Sequence, residues 1–126
     1  RAVEYSKPRE TFGAPIATRQ AVQWMMVDSE VEIRACRWLI WEAAWQYDAG
    51  EDFRQAASIA KVFSADILGK VVDRAIQIHG GYGVTKALPL ERWYREARVR
   101  RIGEGPTEIQ KMVIAREILN PGGPPG

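Results

Sequence analysis

The chain has 126 residues, 46% hydrophobic and 27% charged, with 18 Lys+Arg against 16 Asp+Glu and a net charge of +2. That length suits one domain with its own core, and the composition excludes disordered, collagen-like and coiled-coil arrays. One cysteine, Cys36, and one histidine, His79, exclude a disulfide framework and thiolate- or His-rich metal sites, and leave a Ser-His-Asp triad a single possible imidazole. No apolar run approaches the roughly 20 residues of a membrane span, and the first residues carry no signal-peptide pattern. The expectation is a soluble, intracellular protein.

Arg1 to Ser6 reads as the end of a helix closed by Lys7-Pro8. A long helix is expected from about Ile16 to Tyr47, with apolar residues on two rows. Trp24, Val31, Trp38 and Trp45 form one row, and Met26, Ile33, Ile40 and Tyr47 the other. At roughly 100° per residue, a two-residue offset sets the rows nearly opposite, which predicts a helix covered on both sides. Gly50 suits a C′ position and Asp52 an N-cap. A second, Ala-rich helix follows from about Phe53 to Ile78, stopped by His79-Gly80-Gly81-Tyr82-Gly83. Pro89 precedes a third helix, from Leu90 to about Arg101, with Trp93, Tyr94 and Ala97 inward. After Gly103-Glu104-Gly105, Pro106 opens a last helix to about Leu119, with Ile109, Met112 and Val113 as its apolar face. Residues 120–126, all but one Pro or Gly, read as a flexible tail. The predicted fold is all-α: an antiparallel four-helix bundle over residues 1–119 with its first helix largely truncated.

Four features could carry chemistry, and each has a plainer reading. Gln77 to Gly83 places glycines after a helix, where exposed N–H groups suit a phosphate; it lacks the preceding strand of a nucleotide-binding loop and also reads as a simple stop. Glu104 lies between two glycines, open to a ligand, and beside the positive end of the following helix, which favours its carboxylate form. Burial against an apolar substrate would pull its pKa the other way. Arg9, before Phe12-Gly13, could fork onto a phosphate, or the segment could be a linker. Arg92, Arg95, Arg98 and Arg101 form a ladder, but interleaved Glu91 and Glu96 favour a solvated or interface-facing side over nucleic acid.

The order and spacing of these features carry more than each does alone. Arg9-x-x-Phe12-Gly13-x-x-Ile16-x-x-x-Gln20, Ala60-Lys61, Gln77-x-x-Gly80-Gly81-x-Gly83 and Glu104-Gly105-x-Thr107-Glu108-Ile109-Gln110 together closely resemble the acyl-CoA dehydrogenase family. Arg98 to Gly105 and Ile114-Ala115-Arg116-Glu117 fit it too, so the resemblance covers roughly residues 1–120. It implies the C-terminal helical domain of a flavoenzyme that uses FAD to oxidise an acyl-CoA thioester to the trans-2-enoyl-CoA. Family members are commonly homotetramers, built as dimers of dimers, that pass electrons to an electron-transferring flavoprotein. The implied compartment is the cytoplasm in bacteria and the mitochondrial matrix in eukaryotes.

By position, the resemblance makes Glu104 the base that removes the α-proton, with its own N–H hydrogen-bonding the thioester carbonyl. Arg9 matches an FAD pyrophosphate contact, and Phe12 and Gln20 match residues near the FAD of a neighbouring subunit. Gln77, Gly80 and Gly81 match the segment covering the adenosine-diphosphate half. Thr107 and Glu108 match further FAD contacts, and Gly105 and Arg116 the substrate side. Pro106 stands where many members have Thr, and Gly103 where several straight-chain enzymes have a larger residue. The alternatives are a non-catalytic oligomerisation module on this scaffold and an acyl-CoA oxidase-like flavoenzyme.

Overall fold

The computed structural model describes residues 1–121. In chain order it contains α1 (Ala2–Ser6), a hairpin of β1 (Glu10–Thr11) and β2 (Ala14–Pro15), and a 3-10 turn (Ile16–Thr18). There follow α2 (Gln20–Asp48), α3 (Arg54–His79), a second 3-10 turn (Gly80–Val84), α4 (Leu90–Val99) and α5 (Thr107–Leu119). The bundle is all-α apart from the small hairpin, and no helix among the described residues is long and apolar enough to cross a membrane. The Pro/Gly tail expected over 120–126 lies outside the described residues from Gly122 onward.

α3 is the element on which the rest is assembled, for α1, α2, α4 and α5 all pack on it. Its buried residues form two faces. Ala56, Ala60, Ile67 and Ile78 lie on one, and Ser58, Ala65 and Val72 nearly opposite, by the roughly 100° turn per residue. Near the first face Arg74 pairs with Glu32 of α2; near the second, Gly69 lies against Arg101, just past α4. Alanine at these contacts lets helix axes approach closely. α2 runs antiparallel to α3, with Tyr47 edge-on to Phe53 near the connection and Glu32 at Arg74 further along. α4 and α5 follow one another back along α3: Arg101 reaches Asp66, and Thr107 and Glu108 share a groove with Val62 and Phe63.

Within the chain the helix covered on two faces is α3; the cover expected for both rows of α2 comes from outside this bundle. No residue of α2 is buried within the chain. Its half-buried stripe, including Met25, Ser29, Glu32, Leu39 and Ala43, runs between the two predicted rows. Apart from half-buried Met26, both rows stay exposed, with Trp24 at 59%, Trp38 at 68% and Tyr47 at 65%. The periodicity is present, but α3 is one neighbour and covers one stripe.

Other expectations shift by local chemistry. Ile16 does not begin the long helix: it is buried under a 3-10 turn, Arg19 is extended, and α2 begins at Gln20. Asp52 is not the N-cap residue of α3; Phe53 holds that position, while the Asp52 carboxylate accepts the Arg54 N–H at 3.1 Å. Hydrogen bonding from the Arg54 side chain and backbone holds the Asp52 carboxyl at about 2. Gly50 does close α2: its N–H donates to the Tyr47 carbonyl and that of Glu51 to Gln46, the two bonds of a Schellman ending, with φ +73° at Gly50. In α4 only Leu90 and Ala97 are buried; Trp93 and Tyr94 are exposed because ten residues meet α3 along one narrow stripe. α5 is rotated from expectation, exposing Ile109 and Met112 while Val113 and Ile114 are half-buried. Of the arginine ladder, Arg92, Arg95 and Arg101 pair with Glu96, Glu91 and Asp66, as a solvated side would.

The Glu32–Arg74 pair is about one-fifth exposed. Hydrogen bonding from Arg74 lowers the Glu32 pKa against the opposing effect of burial. A carboxyl depressed in the folded state stabilises above its unfolded pKa, and that contribution is lost as pH falls through the folded value. Glu32→Gln should cost about 1–3 kcal/mol at pH 7 in urea unfolding, with the gap narrowing below about pH 4; an equal gap at both pH values would contradict this. At Gly83, a Cβ would sit 2.7 Å from the Ile76 carbonyl oxygen, which is backbone and cannot yield. Gly83→Ala should therefore destabilise by about 1–3 kcal/mol, whereas Gly81→Ala, with open space around it, should be close to neutral in the same measurement.

Candidate functional site

The first cluster forms where α1, the hairpin and the C-terminal end of α3 meet. β1 and β2 are joined by Phe12-Gly13, both at positive φ (51° and 75°), the geometry that lets a two-residue turn match the strand twist. Glycine adopts that φ freely and Phe does not. Phe12 is nevertheless held there with its ring 99% exposed. The Arg9 backbone is fixed on both sides, its N–H donating to Tyr5 and its carbonyl accepting from Ile16 at 2.7 Å. Arg19 donates from Nη2 to the Thr11 carbonyl at 2.8 Å and ties the hairpin to the start of α2, beside exposed Gln20. Sequence reasoning missed Arg19, because a bond to a carbonyl leaves no motif.

Beside the hairpin lies an open concavity of about 610 Å³ lined by Tyr5, Arg9, Gln77, Gly80, Gly81 and Tyr82, among others. Gly80 ends α3 at φ +59°, and space above both Gly80 and Gly81 is open, so a ligand can reach their backbone. The Tyr5 ring stacks on His79 at 4.3 Å. His79 is buried and its Nδ1 lies 2.7 Å from the Ala75 carbonyl oxygen. A carbonyl can only accept, so Nδ1 carries the proton. A catalytic triad would direct that proton at a carboxylate; His79 is a structural residue that closes the helix end.

The second cluster is the loop between α4 and α5. Glu104 is exposed at φ +56° and Gly105 follows at +91°. Phe12 and Glu104 are the two non-glycine residues at positive φ among the described residues. The loop is held from several directions. Thr107 N–H donates to the Arg101 carbonyl at 3.1 Å, Gln110 Nε2 to the Glu104 carbonyl at 3.4 Å, and Gly103 N–H to Val99 at 2.9 Å. From α3, Lys61 Nζ donates to the carbonyls of Arg100 (2.6 Å) and Gly103 (2.9 Å). Thr107 is half-buried, with Glu108 in the exposed first turn of α5; both line a groove of about 690 Å³ with Phe63, Asp66 and Arg101. Arg116 lies exposed near the far end of α5.

The chain brings Arg9, Phe12, Gln20, Gln77, Gly80 and Gly81 together, and separately Glu104, Gly105, Thr107 and Glu108. It does not join the two sets. Lys61 and Gln77 mark their positions on α3, about 24 Å apart at the helical rise. A third concavity, about 690 Å³ and mainly apolar, opens between α1, α2, α3 and α4 around Val3, Met26, Val72, Leu90 and Trp93. Val31, Met26 and Ile33 of the predicted apolar rows are among its lining.

The fold recurs in known proteins. The chain is 44% identical over 118 residues to the 3-(aryl)acrylate reductase of Clostridium sporogenes, covering 94% of this chain and 31% of that protein. It superposes on butyryl-CoA dehydrogenase from Megasphaera elsdenii with a TM-score of 0.92 at 38% identity, over 94% of this chain and 31% of that one. On the FAD complex of PigA the TM-score is 0.91 at 30% identity, over 96% and 32%. The chain thus spans just under a third of the length of these relatives. The family model described as "Acyl-CoA dehydrogenase, C-terminal domain" matches residues 1–119, and the chain belongs to the acyl-CoA dehydrogenase family.

Proposed function

We propose that residues 1–119 form the base-bearing, FAD-contacting domain of an acyl-CoA dehydrogenase, with Glu104 as the base. The observation that carries this reading is the exposed Glu104 carboxylate, held at positive φ between two glycines by hydrogen bonds from α3 and α5. A strained, well-held carboxylate with no bulky neighbour is suited to reach the α-carbon of a bound thioester. Glu104 takes the α-proton, its N–H steadies the carbonyl oxygen, and the trans-2-enoyl-CoA is left. Bound FAD supplies the acceptor for the hydride leaving the β-carbon.

The chain's residues fit that cofactor. Open backbone at Gly80 and Gly81 suits the diphosphate, the Arg9 guanidinium lines the same concavity, and Phe12 presents a bare aromatic face. The separation between the two clusters supports their serving different FAD molecules: Thr107 and Glu108 that of their own subunit, and Phe12, Gln20, Gln77, Gly80 and Gly81 that of a neighbour. Gly105 and Arg116 face the acyl-CoA in this reading. The exposed rows on α2 support a dimer-of-dimers assembly, because contiguous apolar surface of that kind is normally covered. An electron-transferring flavoprotein would be the partner that takes up the electrons in this reading. The name of the Clostridium sporogenes relative favours one variant: run in reverse, protonated Glu104 delivers the α-proton during reduction of an enoyl thioester.

Two experiments on the full-length flavoenzyme test these points. Glu104→Gln should slow flavin bleaching by acyl-CoA by about 10²–10⁴-fold while FAD remains bound at wild-type stoichiometry; bleaching at the wild-type rate would refute the assignment. Trp38→Glu should shift the sedimentation profile from tetramer to smaller species, and an unaltered tetramer would remove α2 from the interface.

A further inference from the structure

We propose that Lys61 is a positioning residue that aims and polarises the Glu104 N–H, an inference that rests on the reading of Glu104 as the catalytic base. Lys61 lies on α3, 39 and 42 residues from the two carbonyls that accept its Nζ protons. The Arg100 carbonyl is at the end of α4. The Gly103 carbonyl belongs to the same peptide unit as the Glu104 N–H. An ammonium bonded to one end of a peptide draws electron density toward that end and strengthens the N–H at the other as a donor, because hydrogen bonds in series polarise one another. It also fixes the peptide plane, and so the direction of the N–H.

The Glu104 N–H has no acceptor among the described residues, while the carbonyl of the same peptide unit is held by Lys61. It is a donor oriented from behind and left open in front, as a group built to receive developing negative charge on a carbonyl oxygen should be. The same grip explains how Glu104 keeps its unfavourable φ. Left-handed backbone is unfavourable for a non-glycine residue, and it persists where surrounding bonds over-determine it. Two charge-assisted bonds from one lysine ammonium constrain this loop from α3. Asp66 and Arg101, one turn further along, pair with each other at 2.7 Å and hold the base of the loop without touching the Gly103–Glu104 peptide.

The test uses the full-length holoenzyme and the acyl-CoA it turns over fastest, with Glu104→Gln run in parallel. Lys61→Met should lower the rate of flavin reduction at saturating acyl-CoA by about 10–100-fold, with apparent substrate affinity changed less than about threefold. FAD content should be unchanged. Lys61→Arg, which keeps charge and donors, should recover most of the rate. By hydrogen exchange, amides of residues 101–105 should exchange at least about tenfold faster in Lys61→Met, with α3 and α4 unaffected. Wild-type reduction and exchange in Lys61→Met would overturn the inference, as would a rate loss that merely tracks lost FAD. Should Lys61→Met fail to fold, Lys61→Gln must reduce flavin at least about tenfold more slowly than Lys61→Arg at equal FAD content; equal rates overturn the inference. Inactive Glu104→Gln beside fully active Lys61→Met defeats the Lys61 role alone, whereas fully active Glu104→Gln defeats the underlying reading.

Discussion

The close approach of helices to α3 is the constraint on which the rest of the molecule depends. Ala56 and Ala60 on one face, and Ala65 with Gly69 on the other, keep both sides of that helix low. α2 can therefore lie on one side while α4 and α5 lie end to end on the other. This second arrangement creates the Glu104 loop: α4 and α5 share one track along α3, and the chain between them must pass over α3 at the level of Lys61. A bulkier side chain at Gly69 would meet the Arg101 guanidinium at 3.3 Å and disturb the pair that Arg101 forms with Asp66. Packing on the second face of α3 thus sets where Glu104 stands.

Both non-glycine residues at positive φ among the described residues, Phe12 and Glu104, occupy positions that the proposed function uses, and the fold supports each by different means. Phe12 sits in a two-residue hairpin turn, where strand pairing imposes the conformation. Glu104 is restrained by bonds from α3 and α5, elements far apart in sequence. Neither side chain is buried, so neither strain is offset by its own packing. Strain kept on exposed side chains is the pattern expected of groups presented to a ligand.

Much of this could be read before any coordinates, and the part that could not has physical reasons. The starts of α4 and α5 and the end of α3 fall where Pro89, Pro106 and Gly80 place them, because these residues act through their own backbone. The hairpin was missed because two-residue strands carry no alternation. The apolar rows of α2 were visible, but periodicity reports which residues dislike water and not which neighbour covers them; within the chain it is α3 that is covered on two faces. The motif residues were found through their spacing, yet Lys61 and Arg19 were not assigned their contacts. Each acts on carbonyl oxygens, and every residue has one.

The exposed tryptophans on α2 and the divided site are two aspects of one design. A single chain holds two half-sites about 24 Å apart on α3 and leaves both flanks of its longest helix uncovered. Bringing a second copy against those flanks would remove apolar surface from water and, in the proposed assembly, place one chain's Phe12 and Gly80–Gly81 segment over a neighbour's cofactor. The hydrophobic gain of association would then be coupled to completion of the site. Under that coupling, loss of the α2 interface would weaken FAD retention even with every FAD-contacting residue intact. It also accounts for why a ring as large as Phe12 is left bare at a hairpin tip, where a lone domain would gain nothing from it.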